Sequence, residues 1–382
     1  MSGGPSILVL GGGAIGMSIA LHLHWRGSRV CLLEGGALGG GVSRLGGGWV
    51  AAQGRRNPYQ LAFALESIAH YPHMLDRVGA RAGFRQSGSF LLLETEALVE
   101  QRRAFLADQM TVPGYDGFEF LSPAELRKLE PAIRSRHILC GTYRAGDCSI
   151  DPPALVDALA TAVRRAGLSV EGATVEAIRR VGAGWEVATP VGDFAADVIV
   201  NAAGHGARAI SALAGMDLPL APISGQIMTT PPQAPYVRSL IVVAHNPEIP
   251  DCPPRDLRQG ADGRLWVGTV NHHGSGEAAV RRADTEAIRK AMTRVFPELA
   301  DVPFDRGWAG TRALPSDGLP VYGQVGDEPF YVAAPMSGIA EAAAAGRTMA
   351  DLIVDGDCPA LPPAFSPDRL KDLPPPTGRM GH

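Results

Sequence analysis

The hydrophobic positions of this chain alternate between short continuous runs and stretches with helical spacing. The run 6–10 (SILVL) leads into a glycine turn at 11–16, and apolar residues then recur with helical spacing as far as Arg26. A second buried run, 28–33 (SRVCLL), completes a segment of about thirty residues, which is the length of one β-α-β unit. The amino-terminal pattern therefore predicts two parallel strands joined by a helix.

The rest of the chain continues this alternation but changes its strand type in the middle. A capping box at Ser122 and Glu125 predicts a short helix. Helical spacing predicts longer helices at 58–79, 96–110, 152–166, 282–294 and 338–354. Strand patterns occur at 84–95, 175–180, 184–189, 197–201, 222–230, 238–244, 255–259, 264–270, 305–312 and 329–333. Because parallel-type units lie at both ends and around 150–215, with antiparallel-looking segments between them, we expect an α/β protein with two interleaved domains.

The composition argues against a nucleic-acid-binding, membrane-spanning or secreted protein. The net charge is −4 with 19% charged residues, which gives no general attraction to nucleic acid or anionic membranes. No apolar run of about 18 residues exists and no basic-flanked leader precedes the first strand, so we expect neither a membrane span nor a secretory signal. Five scattered cysteines without metal-ligand spacing favour reduced thiols and a cytoplasmic location. The proline-rich tail, 361–382, is expected to fray from 372 onward.

The glycine turn is the strongest chemical signal. Gly11 permits the tight turn, Gly13 lets the backbone approach a pyrophosphate, and Gly16 lets helix and strand pack closely. The helix amino terminus then meets the phosphate charge. Glu34 stands at the end of the second strand, where a carboxylate accepts hydrogen bonds from ribose hydroxyls and disfavours a 2′-phosphate. We therefore expect a dinucleotide-binding turn.

The segment after the second strand bears on which dinucleotide is bound. An NAD enzyme ordinarily continues with further β-α units, whereas here a glycine-rich loop, 39–48, carries a Ser-Arg pair. Such a loop can wrap around a second phosphate and bring backbone amides to an isoalloxazine ring. FAD is therefore favoured, and an NAD-dependent dehydrogenase remains the alternative.

These motifs resemble one known family along nearly the whole chain. The segments 33–50 (LEGGALGGGVSRLGGGWV), 200–207 (VNAAGHGA) and 308–323 (WAGTRALPSDGLPVYG) are similar to segments of the FAD-dependent D-amino-acid oxidase/glycine oxidase superfamily. Residues 336–353 (MSGIAEAAAAGRTMADLI) look like the family's last helix, whose amino terminus points at the flavin pyrimidine and stabilises reduced flavin. The resemblance implies FAD held without a covalent bond.

The resemblance also implies how the chain is divided. It predicts a Rossmann-like FAD-binding domain of the glutathione-reductase type, interleaved with an antiparallel-sheet substrate-binding domain. The implied FAD-binding segments are 1–80, 145–220 and 305–360. The implied substrate-binding segments are 81–144 and 221–304. The proline-rich tail, 361–382, lies outside both domains.

The family comparison assigns cofactor contacts to individual positions. Val175 matches the position whose backbone contacts adenine, and Gly338 and Ile339 match backbone donors to the flavin. The full set of expected FAD contacts is Gly11, Gly13, Ala14, Ile15, Gly16, Glu34, Gly35, Val42, Ser43, Arg44, Gly47, Gly48, Trp49, Val175, Ala202, Ala203, Gly204, Met336, Ser337, Gly338 and Ile339.

Three residues are expected to contact the substrate. Arg312 falls on the family arginine that pairs with the substrate carboxylate, which a planar guanidinium can bind with two hydrogen bonds. Asn271 matches a pocket position, and His272 is placed beside it to orient an amine. We expect no metal site and no catalytic triad, because hydride transfer from an amine depends mainly on alignment.

Two departures separate the chain from many relatives. Met336 stands where a histidine is common, and Glu341 with two alanines replaces the usual Leu-Ala-Pro. In this region and in the segment 50–58 (VAAQGRRNP) the chain is more similar to the opine-dehydrogenase and hydrogen-cyanide-synthase flavin subunits. Those proteins act as dehydrogenases within assemblies.

The resemblance implies oxidation of the C–N bond of an amino acid, N-substituted amino acid or opine-like amine to an imine, by hydride transfer to flavin N5. Electrons would then pass to oxygen or to an electron-acceptor partner subunit. The latter would make the chain the flavin subunit of a multi-subunit amine dehydrogenase, which is the second hypothesis. An oligomer is compatible with the sequence. The exact substrate and the electron acceptor are left open.

Overall fold

The computed structural model describes residues 4–55, 57–246, 248 and 255–374, and it confirms the expected α/β architecture. The α-helices are α1 Ala14–Trp25, α2 Pro58–Val78, α3 Glu96–Gln109, α4 Pro123–Leu129, α5 Pro152–Arg165, α6 Ala207–Leu213, α7 Arg282–Val295 and α8 Gly338–Asp355. The strands are β1 Ser6–Leu10, β2 Arg29–Glu34, β3 Trp49–Val50, β4 Arg85–Gln86, β5 Ser89–Leu93, β6 Glu119–Leu121, β7 Cys140–Arg144, β8 Cys148–Ser149, β9 Ser169–Glu171, β10 Ala177–Val181, β11 Gly184–Thr189, β12 Gly192–Ala196, β13 Val198–Asn201, β14 Ala221–Thr229, β15 Leu240–Val243, β16 Arg255–Gln259, β17 Leu265–His273, β18 Arg306–Leu314, β19 Val321–Gln324 and β20 Phe330–Ala334. No helix within the described ranges combines the length and apolar character that crossing a bilayer requires.

The parallel sheet forms around β1. Its strand order is β19-β20-β13-β1-β2-β9, and every neighbouring pair is parallel except β19 with β20. Val9 in β1 lies opposite Val200 on one side and Leu32 on the other, and all three are buried. Because this central strand is covered on both faces, its apolar residues form a continuous run instead of an alternating one.

The second large sheet is mainly antiparallel and has the order β18-β14-β17-β16-β15-β5-β7-β6. Its strand β18 pairs along its whole length with β14. The predicted boundary at residue 305 assigns β18 to the FAD-binding segments, whereas the backbone of β18 pairs with a strand of the predicted substrate-binding segment 221–304. The pattern of one strand does not indicate which distant strand will complete its hydrogen bonds. Two small sheets, β10-β11-β12 and β3-β8-β4, complete the fold.

Helices α1, α2, α5 and α8 cover the parallel sheet and share its core. Helices α1 and α8 pack tightly, because a Cβ at Gly346 would lie 2.2 Å from Ser18 Oγ and 2.5 Å from His22 Nδ1. Ser18 donates a hydrogen bond to the Ala342 carbonyl at 2.7 Å. This contact holds the amino terminus of α8 near the turn that follows β1.

Helix ends follow the sequence signals. The predicted capping box is confirmed, because Ser122 Oγ accepts from the Glu125 amide at 3.4 Å and Glu125 Oε2 accepts from the Ser122 amide at 2.8 Å. Asn57 caps α2 by accepting from the Gln60 amide at 2.9 Å. Gly79 ends the same helix with φ +75°, a conformation that other residues adopt at a cost.

The carboxyl-terminal segment is anchored to the core before its last described residue. Phe365 is fully buried, with its ring centroid 5.4 Å from that of Phe63 and 6.3 Å from that of Tyr322. Arg369 pairs with Asp317 at 2.8 Å. Within the tail predicted at 361–382, the described part therefore packs against the protein. The sequence predicts fraying from residue 372 onward, and residues 375–382 of that segment lie outside the described ranges.

Candidate active site

The turn between β1 and α1 is built from backbone groups at close range. Gly11 has φ +108°, and a Cβ there would lie 2.7 Å from the carbonyl oxygen of Ala202 at the end of β13. A Cβ at Gly16 would lie 1.9 Å from the carbonyl oxygen of Gly11. Both positions therefore require glycine, because a backbone carbonyl cannot rotate away as a side chain can. The turn brings Gly13 and Ala14, at the amino terminus of α1, to a cavity surface.

Glu34 holds the turn from the end of β2. Its Oε2 accepts a hydrogen bond from the Gly12 amide at 2.6 Å, and its Oε1 accepts from the Gly36 amide at 2.8 Å. A carboxylate has about four lone-pair sites, so each oxygen can still accept a bond from a ligand hydroxyl. Glu34 also lines the cavity, as recognition of a ribose requires.

The glycine-rich loop is fixed by residues from both sides. The Ser43 hydroxyl accepts a hydrogen bond from the Ala14 amide at 3.0 Å, which joins the loop to the start of α1. On the other side Arg258 Nε donates to the carbonyl oxygen of Gly47. The Arg258 guanidinium lies over the Trp266 ring at 4.1 Å. The loop therefore lies between the nucleotide turn and the eight-stranded sheet.

A cavity of about 690 Å³ runs from the glycine turn to the face of the eight-stranded sheet. Its wall contains most of the predicted site residues. These are Gly11, Gly13, Ala14, Ile15, Glu34, Val42, Ser43, Gly47, Gly48, Trp49, Ala202, Ala203, Gly204, Asn271, Arg312, Met336, Ser337, Gly338 and Ile339. They come from both ends and the middle of the chain, so the fold brings together segments that the sequence separates.

Five predicted residues lie outside this wall: Gly16, Gly35, Arg44, Val175 and His272. Gly16 acts through the close packing described above. Arg44 forms an ion pair with Asp157, and more than a third of each side chain is exposed. Val175 packs at the edge of the core around β1 and β20. A Cβ at Gly35 would lie 2.9 Å from Thr174 Oγ1, so this glycine serves packing as well.

His272 does not lie beside Asn271 in the cavity, as the family comparison had implied. Successive residues of a strand point to opposite faces. Asn271 on β17 lines the cavity, and His272 accordingly turns to the other face of the sheet, where its Nε2 lies 2.7 Å from Asp284 Oδ2 on α7. His272 therefore contacts α7 and does not line the cavity.

Arg312 and Asn271 lie on the cavity side of the eight-stranded sheet, with β14 between their strands. Gly225 of β14 is opposite Gly310 on β18 and opposite Asn271 on β17. A Cβ at Gly225 would lie 2.9 Å from Asn271 Oδ1, so the glycine leaves room for the amide. Asn271 Oδ1 is buried and has no hydrogen-bond partner among the described residues. The site therefore offers an acceptor to a ligand.

Comparison with known proteins identifies the family. Residues 6–352 match the D-amino-acid oxidase family model, described as FAD dependent oxidoreductase. The chain belongs to this family of FAD-dependent oxidoreductases. FAD, and not a nicotinamide, is therefore its cofactor, and the alternative of an NAD-dependent dehydrogenase is set aside.

Several relatives of this oxidoreductase have names that refer to amino compounds. It is 31% identical to dimethylglycine dehydrogenase of Rattus norvegicus over 92% of its own chain and 43% of that protein. It is 25% identical to glycine oxidase of Geobacillus kaustophilus (83% and 84% covered) and to one of the subunits of opine oxidase of Agrobacterium tumefaciens (82% and 83% covered). The chain spans less than half the length of the mammalian dimethylglycine dehydrogenases that it matches.

Solved structures show that the fold is shared. The glycine oxidase from Geobacillus kaustophilus superimposes with a TM-score of 0.86 at 24% identity, covering 95% of this chain and 98% of that chain. The L-proline dehydrogenase from P. horikoshii gives 0.88 at 22% identity, covering 97% and 99%. At these identities the likeness concerns the fold alone.

The cavity of the oxidoreductase fits FAD at both ends. At one end the backbone turn at Gly11 and the acceptor oxygens of Glu34 suit a pyrophosphate and a ribose. At the other end Trp49 Nε1 is buried without a hydrogen-bond partner among the described residues, although Trp49 lines the cavity. Such a donor is satisfied when a ligand supplies an acceptor.

Glu341 accounts for one departure from the family pattern. Its Oε1 accepts from the Ser337 amide at 2.8 Å, and its Oε2 accepts from the Tyr322 hydroxyl at 2.8 Å. Burial raises the pKa of Glu341, while the nearby charge of Arg55 opposes the shift. The carboxyl group therefore closes the amino-terminal turn of α8 and, together with Arg55, lines a small cavity beside Phe63 and Phe365.

Sequence reasoning missed several polar residues of the wall. They are Gln53, Arg55, Asn57, Gln60, Ser89, His205, Asp256, Thr269, Thr311 and Asp317. Two of them depend on Asp147, which is fully buried and accepts from the Gln53 amide at 3.1 Å and the Ser89 hydroxyl at 2.5 Å. The alternation along 255–259 puts Asp256 on the face opposite to the buried Leu257, but the pattern does not show that this face meets the cavity.

Proposed function

We propose that this oxidoreductase oxidises the C–N bond of an amino acid, N-substituted amino acid or opine-like amine to an imine. The observation that carries the proposal is the position of Arg312 in the wall of the cavity that also contains the cofactor turn. A guanidinium there supplies the planar pair of donors that a carboxylate accepts. The names of the relatives, which include glycine oxidase and dimethylglycine dehydrogenase, support the same substrate class.

Different groups on the cavity face of the eight-stranded sheet bind different parts of the substrate. Arg312 holds the substrate carboxylate through two hydrogen bonds. Gly225 and Gly310 carry no side chains and leave space for the substrate carbon atoms. Asn271 Oδ1 accepts a hydrogen bond from the amine, which satisfies an oxygen that is otherwise buried without a partner. These contacts fix the orientation of the C–N bond that reacts.

When bound, FAD supplies the two-electron acceptor for this oxidation. We propose that Gly11, Gly13 and Glu34 hold its ADP half, and that the loop 47–49 and residues 336–339 hold the flavin. Ile227, Leu240 and Val242 form an apolar part of the wall and exclude water from the substrate. The imine product is then hydrolysed by water after it leaves the enclosed space.

Anaerobic reduction of the bound flavin tests the proposal. The purified protein is mixed with amino acids, N-methyl amino acids and opines, and bleaching of the flavin absorbance is followed. We expect Arg312→Leu to weaken the binding of carboxylate substrates by about 2–5 kcal/mol, since one partner of a buried charged pair is lost. The exposed Arg306 at the start of the same strand provides the control Arg306→Leu, which should behave as wild type. Unchanged carboxylate binding by Arg312→Leu would remove this residue from the site, and protein without flavin colour would contradict the whole proposal.

A second candidate function is the flavin subunit of a multi-subunit amine dehydrogenase. It is favoured by the similarity to the opine oxidase component of Agrobacterium tumefaciens, which extends over 82% of this chain. In that case electrons pass to a partner chain instead of oxygen. Stoichiometric production of hydrogen peroxide by the isolated, substrate-reduced chain in air would exclude it. Slow reoxidation in air together with rapid reoxidation by an artificial acceptor would favour it.

A further inference from the structure

A buried carboxyl group lies in the cavity wall away from the cofactor turn. Asp256 on β16 lines the cavity and is 8% exposed. Arg258 follows two residues later on the same face of the strand, but its side chain is held by the Gly47 carbonyl and the Trp266 ring. Asp256 forms no ion pair with any described residue. Its charge therefore has no counterion from the described part of the protein.

The surroundings of Asp256 are uncharged on the strands that pack beside it. β15 contributes Leu240 and Val242 to this part of the wall, and β17 contributes Thr269 and Asn271. Burial raises the pKa of Asp256 to about 8, and a hydrogen bond from Thr269 opposes this shift only in part. A buried carboxyl group in such surroundings is costly unless a ligand supplies the opposite charge, and this arrangement is common at functional sites.

The order of groups across the sheet matches a zwitterion. From β18 to β16 the cavity face carries the cation Arg312, then Gly225 without a side chain, then the acceptor Asn271, and finally the anion Asp256. Three strand spacings of about 4.8 Å separate β18 from β16, and Arg312, opposite Ile223, is also offset from the row of Ile227 and Asp256 by four residues, or about 13 Å along the strands, so the two backbones lie on the order of 19 Å apart. Both residues line the same cavity, and the long Arg312 side chain shortens the distance that a ligand between the two charges must span.

We propose that Asp256 binds the protonated nitrogen of the substrate, with Asn271 as a second acceptor, so that the cavity selects amines that enter as cations. This inference rests on the proposed function. Oxidation requires the neutral amine, so the bound ammonium must lose a proton. The N–H bond breaks, an O–H bond forms on the Asp256 carboxylate, and the total charge of the pair is unchanged. Asp256 is thus both the counterion and the proton acceptor for the substrate nitrogen.

The proposal predicts opposite pH dependences for two kinds of ligand. An ammonium ligand binds best to the ionised carboxylate, so its affinity should rise as the pH increases through about 8. A carboxylate ligand without an ammonium group is repelled by that same charge, so its affinity should fall over the same range. Arg312 on the same wall and Arg258 on the same strand keep their charge between about pH 6 and 9, because guanidinium groups do not titrate in this range. Glu34, Arg55, His205 and Asp317 also line the cavity, and the variant Asp256→Asn separates the effect of Asp256 from theirs.

The experiment uses the FAD-loaded protein under anaerobic conditions. Glycine, N-methylglycine, N,N-dimethylglycine and L-proline are compared with methoxyacetate, in which an ether oxygen replaces the amine nitrogen. Dissociation constants are taken from the perturbation or the saturable reduction of the flavin spectrum between about pH 6 and 9. We expect at least one amine to bind roughly tenfold more tightly at the upper end, and methoxyacetate to bind more weakly there. Parallel pH profiles for amines and methoxyacetate would overturn the inference.

Variants separate this inference from the proposed function. Asp256→Asn should abolish both pH dependences and weaken amine binding about tenfold or more near pH 9, while Asp256→Glu should keep a pH-dependent preference for amines. Glu130 is another buried acid, and burial raises its pKa as well, but it lies outside the cavity. Glu130→Gln is therefore the matched control.

Retention of the wild-type pH profile by Asp256→Asn would refute the inference. Should that variant fold poorly, the wild-type comparison with methoxyacetate decides alone. Failure of every amine to reduce the wild-type flavin would instead refute the proposed function.

Discussion

Replacing Gly16 with alanine tests the physical basis of the cofactor turn. The new Cβ would lie 1.9 Å from the carbonyl oxygen of Gly11, whereas ordinary van der Waals contact begins at 3.4 Å, so the turn and α1 must separate by about 1.5 Å. Overpacking of this kind costs about 1–3 kcal/mol. The strain falls on the backbone that is expected to hold the pyrophosphate, so a similar loss in FAD binding corresponds to about a 5- to 150-fold larger Kd.

The assay is titration of the apoprotein with FAD, followed by the quenching of flavin fluorescence. Gly36→Ala is the matched control, because a Cβ there lies 3.6 Å from the nearest atom, Glu34 Oε1, and the backbone amide that bonds Glu34 is retained. We expect the control to keep the wild-type Kd. A folded Gly16→Ala protein that binds FAD as tightly as wild type would show that the turn tolerates a side chain and that the reasoning is wrong.

Two further predictions concern stability. Ser122→Ala removes the cap of α4, so it should lower the free energy of unfolding by about 1 kcal/mol in chemical denaturation. Ser122→Asp keeps a capping oxygen and should restore the wild-type value. Equal stability of all three proteins would contradict this prediction. Burial lowers the pKa of His22 from its ordinary 6.5 to about 3, so below about pH 6.5 the unfolded chain binds a proton that the folded protein does not. This group should therefore reduce the free energy of unfolding by about 2 kcal/mol between about pH 7 and pH 5, and His22→Gln should remove that part of the pH dependence. An identical pH dependence in wild type and His22→Gln would disprove the assignment.

Local patterns predicted much of the secondary structure and the nucleotide turn. The helix predicted at 58–79 is observed at Pro58–Val78, and the strands predicted at 184–189 and 255–259 have the predicted bounds. These elements are marked by apolar spacing and by caps that involve residues close together in sequence. The pattern predicts no strand within 119–149, although β6, β7 and β8 lie there, because these strands are short and interrupted by polar residues. Their pairing partners, which the pattern does not contain, stabilise them.

Residue types at fixed local spacing were enough to establish the β-α-β unit, the glycine turn with Glu34 and the resemblance to the family. The folded chain was needed to show that β18 joins the eight-stranded sheet, that His272 turns to Asp284 while Asn271 faces the cavity, and that Asp256 lies in the same wall as Arg312. The physical reason is that strand pairing and side-chain facing are set by hydrogen bonds between residues far apart in the chain. A one-residue change of register would reverse which side chains reach the cavity.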